Sequence, residues 1–96
     1  MTIEHKETDD RGIFYIKHDS TVISELTYIR DKDRKGVIVI DHTETKIPKE
    51  GRGYASKLVE RAVEYAREKS LKIDPLCPFA EIKFEENDEY QDVRAS

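Results

Sequence analysis

The sequence predicts an α+β fold: a mixed sheet, antiparallel through strands one to four and parallel between strands four and five, with one main amphipathic helix and a short C-terminal helix. Three observations carry this expectation. Short segments of strand-like composition, separated by clusters of turn formers, fill the first half of the chain. The second half opens on Ala55, Leu58, Val59, Ala62, Val63 and Ala66, apolar residues recurring at the spacing of a helix buried along one face. That helix lies between two extended runs, beginning at Val37 and at Leu71, and a strand-helix-strand connection of this kind is right-handed and joins parallel strands.

In chain order, Ile3–Glu7 and Ile13–Lys17 read as strands joined through Thr8-Asp9-Asp10-Arg11-Gly12, with Gly12 expected at a positive φ. His18-Asp19-Ser20 is the next turn. Thr21–Arg30 follows as a third strand, Val22, Ser24, Leu26 and Tyr28 on one face and Ile23, Glu25, Thr27 and Ile29 on the other. Asp31–Gly36 is a hairpin loop into Val37-Ile38-Val39-Ile40, a β-branched run that ends polar, in Asp41-His42-Thr43-Glu44-Thr45. The polar end is informative, because a strand apolar on both faces belongs to a sheet centre and a polar terminus on it commonly borders a cleft. The main helix presents Lys57, Glu60, Arg61, Glu64 and Arg67 outward, with opposite charges three apart. Pro75 and Pro78 end the fifth strand near Cys77. From Phe79 to Val93 a less regular helix is expected, with Phe79, Ile82 and Lys83 on one face and a break at Asn87-Asp88.

The 96 residues suffice for a single domain, 1–96, with one core. A net charge of −4, with no basic stripe, argues against nucleic acid and weakly favours approach of a cationic small molecule. One cysteine excludes an intramolecular disulfide and a cysteine-based zinc site, so no metal is expected. The N-terminal segment lacks the layout of a signal peptide and no apolar run reaches the roughly 20 residues of a membrane span, which points to a cytoplasmic protein that meets no membrane.

Gly51 and Gly53, between a strand and the main helix, are placed to cradle a pyrophosphate: without side chains the backbone approaches closely, and the unpaired N–H groups of the helix start face the ligand. Two glycines equally suit a purely structural turn. The segment Glu50-Gly51-Arg52-Gly53-Tyr54-Ala55 resembles the acetyl-CoA-binding motif of the GNAT acetyltransferase superfamily, Gln/Arg-x-x-Gly-x-Gly/Ala, departing from it at Glu50. The resemblance extends to a subgroup of very small members through Asp41-His42-Thr43-Glu44, Ala55-Ser56-Lys57-Leu58-Val59, Pro75-Leu76-Cys77-Pro78-Phe79 and Glu89-Tyr90-Gln91-Asp92.

The resemblance implies a GNAT-like domain using acetyl-CoA as co-substrate and no metal, held by Thr43, Thr45, Glu50, Gly51, Arg52, Gly53, Tyr54, Ala55, Ser56 and Lys57. Arg52 or Lys57 is expected to supply the cation that Glu50 does not. It implies splayed fourth and fifth strands with the thioester near His42–Thr45 and Cys77, and direct transfer of the acetyl group to an amine, small or peptidic. His42 is a candidate general base, since an imidazole exchanges a proton near neutrality. Glu44, on the same side of an ideal strand, is expected to orient it or to act through a water. Cys77 is a candidate nucleophile for an acetyl relay. Each has a plain alternative: a satisfied strand-end histidine, a solvated carboxylate, a small buried hydrophobe. Tyr90 is read as a packing aromatic. Because only Thr8–Gly12 stands where larger relatives place acceptor-site helices, the acceptor side is expected to be open. A non-catalytic acyl-CoA-binding module therefore remains as the competing reading, and the chain is expected to be a monomer or weak homodimer.

Overall fold

The computed structural model describes residues 2–95. Strands β1 (Ile3–Glu7), β2 (Arg11–His18), β3 (Thr21–Arg30) and β4 (Val37–Thr45) precede helix α1 (Tyr54–Lys69), strand β5 (Lys72–Pro75) and helix α2 (Pro78–Glu86). The strands form one sheet in sequence order, antiparallel from β1 to β4 and parallel between β4 and β5. Short 3₁₀ turns cover Ile47–Lys49 and Asp88–Val93, the second beginning where Asn87 was expected to break the C-terminal helix. The mixed α+β architecture is thus the one the sequence patterns predict, and no described helix is long and apolar enough to cross a membrane.

Turn chemistry sets the hairpins. Asp19 and Ser20 both adopt positive φ, 49° and 69°, a two-residue turn whose twist matches that of the strands it joins. In the next loop, Asp31 accepts hydrogen bonds from the backbone N–H groups of Asp33 and Arg34, and the Arg34 guanidinium bridges Asp31 to Asp74 of β5 at 2.7 and 2.6 Å. Gly12 departs from its expected role. It lies inside β2 opposite Tyr28, and a Cβ there would stand 2.3 Å from the Tyr28 ring. The glycine is required by the close approach of the phenol and not by a positive φ.

The two helices cover one face of the sheet. Phe14, Ile16, Leu26, Tyr28, Ile38 and Ile40 meet Leu58, Val59, Ala62, Val63 and Ala66 of α1 and Ala80 and Phe84 of α2 in one buried cluster. The buried residues of α2 are therefore Ala80 and Phe84, spaced four apart, while Ile82 stays 54% exposed; the expected face through Phe79, Ile82 and Lys83 is corrected accordingly. Nor do the outward charges of α1 pair at three-residue spacing: among the described residues Arg61 reaches Glu68 at 3.7 Å, and Arg67 reaches Asp92 at 2.9 Å, pinning the C-terminal turn.

A polar network is set into this core where β1 and β3 meet the C-terminal half of α1. Tyr28 and Tyr65 both donate to Glu7 Oε2, at 2.9 and 2.6 Å, and His5 Nε2 lies 2.7 Å from the Tyr28 hydroxyl. Since the Tyr28 proton goes to Glu7, His5 must donate, which selects its Nε2–H form. The His5 ring stacks on Phe14 with centroids 4.0 Å apart.

Two features of β4 position the site. Its pairing with β5 stops at Ile40 opposite Pro75, after which the Cys77 N–H bonds the Ile40 carbonyl at 2.9 Å. Asp41–Thr45 then runs on bonded only to β3, so the two parallel strands part as expected. The second feature is a β-bulge: Tyr28 opposes Ile40 and Thr27 opposes His42, leaving Asp41 as the extra residue. Thr27 Oγ1 donates to Asp41 Oδ1 at 2.8 Å, so Asp41 and His42 both lie on the sheet face away from the helices.

Candidate functional site: a cleft at the start of helix α1

At the parted end of β4, Thr43, Glu44 and Thr45 form one wall of a cleft of about 440 Å³, and Lys49, Glu50, Gly51, Gly53, Tyr54, Ala55 and Ser56 form the other, with Phe79 of α2 at its edge. That volume falls in the range of small-molecule sites. Gly51 and Gly53 take φ of 80° and 78°, left-handed conformations that L side chains enter at a cost. Neither has a heavy atom within 4 Å of where a Cβ would lie, so backbone conformation, and not crowding, calls for glycine. Gly53 is the N-cap of α1, and no side chain caps the helix or places a carboxylate in its first turn. The N–H groups of the first turn therefore face the cleft unpaired, the arrangement that binds anions at helix starts.

The bulge divides the polar residues of β4 between two faces. Thr43 and Thr45 point to the helix side, where Thr43 Oγ1 lies 3.4 Å from Cys77 Sγ and Thr45 Oγ1 lies 2.8 Å from Ser24 Oγ. His42 and Glu44 are on the open face, with His42 Nε2 3.3 Å from Glu44 Oε1. Glu25 of β3 stands directly opposite Glu44, and one ligand atom from each of Glu25, His42 and Glu44 falls within 4.8 Å of the others.

Cys77 is buried at the N-cap of α2, with Pro78 as the first helical residue. Burial pushes its thiol up, but hydrogen bonds from Thr43 and from the backbone N–H groups of Ala80 and Phe79 outweigh this, and the thiol titrates below its ordinary value. His42 and Cys77 thus border opposite faces of β4, with Thr43 between them.

Of the residues named from sequence, the fold brings Thr43, Glu44, Thr45, Glu50, Gly51, Gly53, Tyr54, Ala55 and Ser56 to one cleft. Arg52 is exposed outside that lining, and Lys57 lines a neighbouring groove with Lys83, Asn87 and Tyr90. The cation at the cleft is Lys49, which sequence reasoning passed over; its place one residue before Glu50 was the available signal. Phe79 was also missed at the cleft, because α2 was phased on the wrong face. Tyr90 packs edge-on against Phe84 with centroids 5.5 Å apart.

This geometry meets the comparisons with known proteins. A family model described as GCN5-related N-acetyltransferase matches residues 13–93. A GCN5-like protein of Staphylococcus aureus, solved by NMR, is 35% identical over 97% of this chain and 88% of its own, with a TM-score of 0.66. The chain belongs to the GCN5-related N-acetyltransferase family. More distant structures share the fold. One, described as a streptothricin acetyltransferase of Bacillus anthracis in complex with acetyl coenzyme A, is 14% identical over 82% of this chain and 46% of its own (TM-score 0.61). Another, a ribosomal-protein-alanine N-acetyltransferase of Brucella melitensis, is 16% identical over 93% of this chain and 64% of its own (TM-score 0.60). A comparison with curated proteins found no match.

Proposed function

We propose that the chain is an acetyl-CoA-dependent N-acetyltransferase that passes the acetyl group directly to an amine, as a very small single-domain member of its family. The observation that carries this reading is the uncapped start of α1 behind two left-handed glycines, opening on the stretch where β4 outruns β5. The pyrophosphate of acetyl-CoA suits the unpaired N–H groups of the first turn, with Lys49 as counter-charge to offset Glu50. The pantetheine arm suits the unpaired backbone edge of Asp41–Thr45, which places the thioester beside Thr43.

The acceptor then approaches from the open face. His42, or Glu44 through a water, takes the proton that the amine must lose. The nitrogen forms its bond to the carbonyl carbon, backbone N–H groups of the parted β4 edge stabilise the oxyanion, and the C–S bond breaks with a proton returning to the departing thiolate. Cys77 supports a second route. Its thiol is held at a helix N-terminus beside Thr43 with a lowered pKa, which suits a thiolate that takes the acetyl group before an amine does. The shortness of the segment between the first two strands, where larger relatives place acceptor-site helices, is what favours a non-catalytic binding module instead.

The test is acetyl-CoA titration followed by amide NMR, then turnover with mixed polyamines and peptides. Shifts centred on Gly51–Lys57 and free CoA above the spontaneous rate are expected, and His42→Ala should lower turnover roughly 10²–10⁴-fold while leaving acetyl-CoA affinity unchanged. Acetylated Cys77 in the mass spectrum would replace direct transfer by the relay. Binding without turnover for any acceptor would leave the module, and no shifts at all would end every acetyl-CoA reading.

A further inference from the structure

We infer that β1 is a contact surface for a second copy of this chain, the two Ile3–Glu7 strands pairing antiparallel about a two-fold axis at His5. The two edges of the sheet differ. Beside β5, Arg94 bridges to Ile73 and the Ala95 N–H donates to the Ile73 carbonyl at 2.7 Å, so the C-terminal segment covers that edge. Beside β1, among the described residues, no strand pairs. The direction of its free groups follows from the turn. The Thr8 N–H donates to the Arg11 carbonyl at 2.8 Å, so by the alternation of an antiparallel ladder Thr8, Lys6 and Glu4 bond to β2. The N–H and C=O groups of Ile3, His5 and Glu7 therefore point away from the sheet, a row of donors and acceptors that another strand can take up.

Charge then selects the partner and the register. A second copy must meet these outward groups with its own, so the strands can slide past each other only in steps that keep the pattern. Centred on Glu4, the pairing sets Glu4 against the partner's Glu4; centred on Lys6, it sets Lys6 against the partner's Lys6. Each of these also leaves part of the strand unpaired. Centred on His5, all of Ile3–Glu7 is paired, Glu4 faces the partner's Lys6 and Lys6 faces the partner's Glu4, an attraction that symmetry repeats. Both side chains are exposed and, among the described residues, in no ion pair. Both lie beside Tyr15 on the open face, Glu4 accepting from its hydroxyl at 3.4 Å and Lys6 Nζ standing 5.8 Å from its ring centroid. A lysine on a sheet edge ordinarily discourages pairing, and here the same strand in a second copy supplies its counter-charge. On the helix side Ile3 meets the partner's Glu7, and Tyr28 and Tyr65 already engage the Glu7 carboxylate, so that contact brings in no unmet charge. The two five-stranded sheets become one. A contact of one short strand falls below the roughly 1,200 Å² of stable complexes, so the dimer is a weak one. The cofactor cleft draws no residue from β1, and each protomer keeps a whole one.

The experiment is sedimentation equilibrium of the full chain over a concentration series reaching about 1 mM, the weak limit of specific association, with ¹⁵N NMR on the same samples. A monomer–dimer equilibrium is expected, with concentration-dependent shifts centred on Ile3, His5 and Glu7. Glu4→Lys and Lys6→Glu each reverse both symmetry-related pairs and should weaken the dimer roughly tenfold or more. The double variant carrying Glu4→Lys and Lys6→Glu restores opposite charges and should dimerise as the parent does. An equimolar mixture of the two single variants should form the heterodimer that neither forms alone. The inference is overturned if no dimer appears by about 1 mM, if the single variants dimerise as the parent does, or if neither the double variant nor the mixture recovers association. Because association is read without acetyl-CoA or an acceptor, it stands or falls separately from acetyl transfer.

Discussion

Gly53→Ala tests the cofactor cleft at its most specific point. Gly53 caps α1 at φ 78°, ψ 11°, and a Cβ there meets nothing within 4 Å, so the substitution adds strain without a clash. Placing an L residue in the left-handed region costs about 1–2 kcal/mol. That cost has two outlets. If the loop holds its shape, the free protein loses the whole amount, and Tm falls by about 4–8 °C for each kcal/mol in a domain of this size. If the loop relaxes to negative φ, stability is kept, but the N–H groups of the first turn swing off the anion and acetyl-CoA binds roughly 5–30-fold more weakly. Differential scanning calorimetry and titration calorimetry on the same preparation should recover a sum of about 1–2 kcal/mol between them. The same Tm and the same affinity as the parent protein would refute the assignment of Gly53 to a strained anion-binding turn.

Three further outcomes are expected. Gly12→Ala puts a methyl group 2.3 Å from the Tyr28 phenol, so the ring must leave its place against Glu7 and His5. Overpacking of this kind costs about 1–3 kcal/mol, measurable as a lower urea midpoint, and an unchanged midpoint would show that the ring moves freely. Lys49→Ala should weaken acetyl-CoA binding roughly fivefold at low salt and by less as salt rises, since its contribution is a half-buried but solvent-reached charge beside an anion. Stability should fall on acidification. Burial lowers the His5 pKa from its ordinary 6.5, with Glu7 opposing the shift and Arg61 reinforcing it, so between 6.5 and that lowered value the unfolded chain binds a proton the folded one does not. Glu7 adds to this at lower pH, because donation from Tyr65 and Tyr28, with His5 and Arg30 nearby, holds its carboxyl below its ordinary value and that stability is lost as pH drops through it. Urea unfolding between pH 8 and 5 should show the decline, and His5→Gln should flatten its upper part.

Local patterns made much of this fold legible. The apolar spacing of Leu58, Val59, Ala62, Val63 and Ala66 has one way to be buried, along a single helix face, and the structure buries those residues together. β3 runs from Thr21 to Arg30 with the expected alternation from Ser24 to Tyr28, but Ile23, expected on the other face, is buried in the core beside Ser24, where the register of β2 on β3 slips between Ile16 and Lys17. The glycine turn before α1 was legible too, because glycine at two left-handed positions before a helix is a local requirement that the backbone imposes wherever the segment sits. Glu50, the departure from the family motif, lines the cleft, and the lysine that lines it alongside is Lys49. Which of three nearby cations reaches the cleft depends on how the Ile47–Lys49 turn leads into the loop, a matter of path and not of composition.

What the sequence by itself determined is therefore the set of elements, their order, and the one turn whose glycines have no substitute. What only the tertiary structure decided is which polar residues of β4 share a face. Strict alternation from Ile38 and Ile40 would send His42 and Glu44 to the helix side. The bulge at Asp41 reverses this, giving Thr43 and Thr45 to the helix side and His42 and Glu44 to the open face beside Glu25, with Glu44 still bordering the cleft. The physical reason is that a bulge is a property of two strands: it appears where the register of β4 on β3 slips by one residue, and nothing within either strand records the slip.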